Sequence, residues 1–184
     1  MSDHHMKKSV SINNDIFEFY LSEKKIQTKI RQMARQINKE YRGKAPVFIG
    51  VLNGSFVFMA DLLRYITVDC EVDFLKLSSY GHTKISSGKI RLLEDLNCDL
   101  KGRDIIVVED IVDSGLSADF IIRLVRAHKP RSVKVASLLL KEAALKSNVK
   151  IDYIGFRIPH IFVIGYGLDY AQKARNLRDI YQLK

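Results

Sequence analysis

Apolar residues recur along this chain in two patterns. Between residues 23 and 41, Ile26, Ile30, Met33, Ile37 and Tyr41 return at helical spacing with Lys and Arg on the opposite side, which predicts an amphipathic helix packed on a core. Gly43-Lys44-Ala45-Pro46 ends it. Elsewhere apolar residues form short runs, continuous at 47–52 and 105–108 and interrupted by Lys134 and Ser137 at 133–140. Such runs do not alternate, and this is the pattern of strands buried on both faces. Residues 68–77 alternate in part, through Val72, Phe74, Leu75 and Leu77, and predict a further strand. Two more are predicted at 151–156 and 161–164, parted by a turn at Pro159. Helical periods fall between the strands, at 56–66 after the Asn53-Gly54-Ser55 turn, at 118–128 before Pro130, and briefly at 142–146. Strands alternating with helices predict an α/β fold, a mostly parallel doubly wound sheet flanked by helices and joined by right-handed crossovers.

Composition narrows the setting. The chain has 184 residues, 47% hydrophobic and 28% charged, which suits a single domain over 1–184 with a sizeable core. No run of eighteen apolar residues occurs, and residues 1–10 lack the apolar stretch of a signal peptide, so a soluble cytoplasmic protein with no membrane partner is expected. Cys70 and Cys98 show neither metal spacing nor a disulfide framework. The five histidines, His4, His5, His82, His128 and His160, form no metal-ligand pattern and read as surface or packing residues. A formal charge of +9 suits nucleic acid or a substrate with several phosphates, and does not separate the two.

The chemistry concentrates after the second apolar run. Ile105 to Val108 leads into Glu109-Asp110-Ile111-Val112-Asp113-Ser114-Gly115-Leu116-Ser117 and then into a helical pattern. Three carboxylates at the carboxyl end of a buried strand lie on the edge where open α/β sheets bind ligands. The following helix N-terminus offers free N–H groups to a phosphate, Gly115 permits close backbone approach, and Ser114 and Ser117 add hydroxyls. Neither a P-loop nor a dinucleotide fingerprint is present. The combination points to a phosphorylated sugar held by acids, with a divalent cation to offset charge. Taken singly, Glu109 and Asp110 also fit solvated loop acids, and Asp113 fits a helix cap. Residues 78–91, polar and glycine-containing, fit either a mobile lid or a loose hairpin.

The stretch from Val107 to Gly115 resembles the phosphoribosyl pyrophosphate signature of the purine phosphoribosyltransferases. Three further segments extend the likeness over about 47–177. Val51-Leu52-Asn53-Gly54-Ser55-Phe56 is similar to the family's pyrophosphate loop, Ser79-Tyr80 to the start of its lid, and Phe162 through Tyr170 to its purine pocket. The last is found in the members that use hypoxanthine and guanine. The resemblance implies a type I phosphoribosyltransferase-like fold with a small hood from the chain ends and a lid near 78–91. It implies transfer from phosphoribosyl pyrophosphate to N9 of hypoxanthine or guanine, yielding IMP or GMP with Mg2+, by a homo-oligomer, dimer or tetramer.

By position, the resemblance makes Asp113 the general acid/base at purine N7 and assigns the ribose hydroxyls to Glu109 and Asp110, near a metal. Asp113, Ser114, Gly115, Leu116 and Ser117 would hold the 5′-phosphate, and Asn53, Gly54 and Arg175 the pyrophosphate. Lys141, Phe162, Val163 and Asp169 would contact the purine, and Asp169 would bind a second magnesium. Lys141 also fits an exposed lysine at a helix start, and Phe162 and Val163 fit core positions in a strand. Asn53 stands where many members have lysine, Ser114 replaces a frequent threonine, and Leu116 replaces a lysine of some relatives. A non-proline cis peptide at Leu52–Asn53 is also implied. The rival from another class is a regulator of related fold that binds nucleic acid. The charge and the basic first helix favour it, whereas no nucleic-acid motif is present and the purine segment is intact.

Overall fold

The computed structural model of the chain describes residues 7–79, 90–94 and 96–184. Two short strands, β1 (Ser9–Ile12) and β2 (Asp15–Leu21), form an antiparallel hairpin ahead of α1 (Glu23–Glu40). The Ser22 hydroxyl caps α1 by accepting from Lys25 N, and the helix buries Ile26, Ile30, Met33, Ala34 and Ile37, the stripe its spacing predicts. There follow β3 (Val47–Leu52), α2 (Phe56–Leu63), β4 (Glu71–Ser79), β5 (Ile90–Glu94) and β6 (Asp104–Val112). The chain continues through α3 (Leu116–Ala127), β7 (Ser132–Leu140), a 3₁₀ turn (Glu142–Ala144), β8 (Tyr153–Arg157), β9 (Val163–Ile164) and β10 (Ile180–Leu183).

The main sheet has the order β5-β4-β3-β6-β7-β8, parallel except where β5 pairs antiparallel with β4. Its central strand explains the unbroken apolar run. Ile106 and Val108 join the cluster beneath α1 and α2, while Ile105 and Val107 face the opposite cluster with Ile121 and Val125 of α3. A strand covered on both sides has no face left for polar residues.

The chain departs from the expected pattern at three places. Residues 161–164 do not extend the parallel sheet. Ile161 N turns back to Pro159 O at 2.8 Å, and Val163 and Ile164 pair antiparallel with Gln182 and Tyr181 of β10. The second sheet so formed, β1-β2-β10-β9, is the hood built from the chain ends. Helix at 142–146 shrinks to the 3₁₀ turn, because Leu145 is extended and Lys146 N donates instead to Ser114 O at 2.8 Å. Finally β6 runs to Val112, so Glu109 and Asp110 lie within the strand, three and two residues before its end, rather than in a loop. Among the described residues no helix is long and apolar enough to cross a membrane.

One buried acid ties a connection to the main sheet. The Asp73 carboxylate of β4 accepts from the N–H groups of Phe74 (2.8 Å), Asn97 (2.7 Å) and Cys98 (3.0 Å). Burial alone would raise this carboxyl, but those donors together hold it below its ordinary value. A carboxylate depressed in the folded state stabilises fully above its unfolded pKa, and that contribution is lost as pH falls through the folded value. Asp73→Asn should therefore lower the urea midpoint at pH 7, with the difference from the parent narrowing as pH drops below about 3.9. Equal midpoints at pH 7 would contradict this role.

Candidate active site

Three parallel strands, β3, β6 and β7, end at the same edge, and the turn after each contributes to one concave region. After β3 the Leu52–Asn53 peptide is cis, as the resemblance implies, and the Ser55 hydroxyl donates to Val51 O at 2.7 Å. Gly54 lies directly against the Asp110 carboxylate, where a methyl group would overlap it. After β6, Gly115 adopts φ +77 and turns the chain into α3, and Ser114 Oγ accepts from Leu116 N at 3.5 Å. Glu109, Asp113, Ser114, Gly115 and Ser117 line a cavity of about 90 Å³ at that helix start. Leu116 itself opens α3 and lines neither this cavity nor the larger one beside it.

The larger cavity, about 330 Å³, gathers Asn53, Gly54, Asp110, Asp113, Lys141, Phe162, Val163, Asp169 and Arg175. That volume is within the range of small-molecule sites. Lys141 follows β7 and is fixed by its own N–H donating to Val112 O at 2.9 Å. Its side chain is buried, not solvated as at an exposed helix start, and Nζ donates to Asp113 Oδ2 at 2.6 Å. His160 Nδ1 stands 3.7 Å from the other oxygen of Asp113. His160 is exposed as expected, yet it belongs to this site. His4, His5 and His82 lie outside the described residues.

At the far end, Phe162 presents a ring that is 44% exposed. Behind it Phe17 (centroids 6.1 Å apart) and Tyr170 (5.6 Å) form a tilted aromatic cluster. Asp169 is paired with Arg175 at 2.7 Å and accepts from Gln172 N at 2.9 Å, while Arg175 also donates to Gly167 O at 2.8 Å. Gly167 has φ +97, and a side chain there would strike the backbone oxygen of Gly54. Ser79 is the last residue of β4; Tyr80 and most of the expected lid, 80–89, lie outside the described residues. Ile111 and Leu168 also line the cavity and were not singled out from sequence. Neither was Phe17, whose strand is remote in the chain and carries no motif.

The acids at the end of β6 are electrostatically out of balance. Burial, and secondarily Asp110, pushes Glu109 up to about 8. Burial likewise lifts Asp110 to about 6, against backbone N–H donors and Arg175, with Asp169 adding to the rise. Glu109 Oε1 is buried and has no hydrogen-bond partner among the described residues. Such an orphaned acceptor fits hydroxyl donors or a hard cation. Among the described residues no three carboxylates, imidazoles or thiols converge on one metal position. A cation bound here would thus complete its shell with substrate and water oxygens, as Mg2+ commonly does.

The brace behind Phe162 can be checked directly. Phe17 is fully buried, so Phe17→Ala should cost about 3–5 kcal/mol of stability. Equilibrium urea unfolding measures it, and a loss under 1 kcal/mol would mean that the hood collapses readily around the gap.

Residues 18–171 match the family model of the phosphoribosyl transferase domain. The chain is 42% identical over 173 residues to hypoxanthine-guanine phosphoribosyltransferase of Bacillus subtilis (strain 168), spanning 94% of this chain and 96% of that protein. It is 43% identical over 169 residues to the protein of the same name from Mycobacterium tuberculosis (strain H37Rv), spanning 89% and 84%. The crystal structure of a hypoxanthine-guanine phosphoribosyltransferase from Bacillus anthracis with HEPES in its active site superposes with a TM-score of 0.86 at 42% identity, covering 91% and 98%. Architecture, the edge on which the cavities lie and likeness over nearly the whole length agree, and the chain belongs to the phosphoribosyltransferase family, in its hypoxanthine-guanine branch.

Proposed function

We propose that this chain salvages purines by moving the 5-phosphoribosyl group of phosphoribosyl pyrophosphate to N9 of hypoxanthine or guanine, forming IMP or GMP and pyrophosphate. The observation that carries this is the Asp113–Lys141 pair at 2.6 Å, which opens on the same cavity as Phe162 and Asp110. A carboxylate and an ammonium side by side match the N7 and 6-oxo positions of one purine edge. Lys141 has only donors to offer, which favours a 6-oxopurine over adenine. Phe162 stacks on the base, with Val163 beside it.

On the sugar side, Glu109 and Asp110 accept from the ribose hydroxyls, and Asp113 to Ser117 hold the 5′-phosphate through backbone N–H groups and the Ser114 and Ser117 hydroxyls. Asn53, Gly54 and Arg175 bind pyrophosphate, Arg175 through a guanidinium suited to paired bonds. Mg2+, held by Glu109 and Asp110 and at a second position by Asp169, would supply charge neutralisation for the leaving pyrophosphate. N9 attacks C1′, the C1′–oxygen bond to pyrophosphate breaks with its electron pair leaving on pyrophosphate, and Asp113 takes the N7 proton. Residues 78–91, including Ser79 and Tyr80, act as a lid that keeps water from the ribosyl centre. The chain works in the cytoplasm as a homo-oligomer; Val72 and Phe74 of β4 and Leu93 of β5 leave apolar surface exposed near one edge of the main sheet.

Two measurements test this. Supplied with phosphoribosyl pyrophosphate and Mg2+, the protein should form monophosphate from hypoxanthine and guanine but not from adenine, and turnover of adenine at a comparable rate would refute the role of Lys141. Asp113→Asn should reduce kcat by about 10²–10⁴-fold, the range of general acid–base catalysis. A loss within about tenfold would assign the N7 proton to another group.

A further inference from the structure

Asp113 has a neighbour that the transfer chemistry leaves unused. Its Oδ2 is held by the buried Lys141 ammonium at 2.6 Å, and its Oδ1 faces His160 Nδ1 at 3.7 Å. The two flanking groups differ in access, since the Lys141 side chain is 7% exposed and that of His160 is 70% exposed. His160 owes its place to the turn after β8, where Ile158 N donates to Leu140 O at 2.9 Å and Ile161 N to Pro159 O at 2.8 Å. Asp113 on the β6 side and Lys141 on the β7 side are the charged groups at this position. On β8 itself, Arg157 is engaged with Glu142 at 3.0 Å.

Resting on the phosphoribosyl transfer proposed above, we propose that His160 is a positioning residue that orients Asp113 and relays the purine N7 proton from it to solvent. The N7–H bond breaks and the proton passes to an Asp113 oxygen; neutral His160 then accepts it at Nδ1, and Asp113 returns to carboxylate. The imidazolium gives the proton to water, which restores the starting state with every proton accounted for. Lys141 cannot serve, because a buried ammonium has no free lone pair. The Asp113 side chain is itself 46% exposed, so the relay competes with direct transfer to water, and the size of the His160 effect measures its share.

The test is steady-state kinetics with hypoxanthine on purified His160→Ala and His160→Gln, the latter keeping size and N–H donation without a basic nitrogen. Both should lose about tenfold in kcat, less than the ~10²–10⁴ of the general base itself, with KM for phosphoribosyl pyrophosphate unchanged. Added imidazole should restore kcat of His160→Ala in a concentration-dependent way and leave Asp113→Asn unrestored. Parental kcat in His160→Gln, or a loss in His160→Ala that imidazole does not repair, overturns the relay. Parent protein that forms no monophosphate from any purine overturns the transfer reading itself and the relay with it.

Discussion

The carboxylate of Glu109 is held out of water at the end of a strand covered on both faces, and the site is organised around that cost. A buried acid without partners favours its neutral form, and Glu109 is pushed up to about 8 with one oxygen left without a hydrogen bond among the described residues. Asp110 follows at about 6. Neighbouring groups relieve only part of the imbalance. Arg175 counters Asp110 but also spends its guanidinium on Asp169, and Lys141 is committed to Asp113. The remaining deficit sits where sugar hydroxyls or a hard cation would supply donors or charge.

Sheet register determines which acid meets which base. In the parallel pairing of β6 with β7, Val112 stands opposite Leu140, so the next rung places Asp113 beside Lys141. Leu140 in turn pairs with Arg157 of β8, which brings the Pro159 turn and His160 to the same level. A slip of one residue would send every side chain of β6 to the opposite face and part Asp113 from Lys141. The pairing of Asp113 with Lys141 therefore rests on the register of β6 with β7.

Much of this was legible in the chain because its signals are local. The run at 105–108, the helix at 23–41 and the segments around Asp113, Asn53 and Phe162 each carry their meaning within a dozen residues. What was not legible depends on partners distant in sequence. Residues 161–164 read as another parallel strand, since nothing nearby reveals that Val163 and Ile164 meet β10. The helical period at 142–146 loses to a single tertiary bond from Lys146 N to Ser114 O. Phe17, the ring behind Phe162, lies in a strand of ordinary alternation, and only the closing of the hood brings it against Phe162. Lys141 looked as if it could be solvated, and the register argument that buries it requires the strand pairing to be known.

The segment after β9 meets the turn after β3 at one close backbone contact, flanked by side-chain bonds. Gly167, in the purine segment, approaches the Gly54 carbonyl so closely that neither a methyl nor a rotamer change could be accommodated, while Gly54 in turn abuts Asp110. Around this contact, Tyr166 donates its hydroxyl to Asp61 of α2, and Glu23 N of α1 donates to Asp179 at 2.8 Å. The turn after β9, the turn after β3 and the end of β6 are thus joined in series, by a backbone contact from Gly167 to Gly54 and a side-chain contact from Gly54 to Asp110. In close-packed structure, a displacement at one end is passed on rather than absorbed.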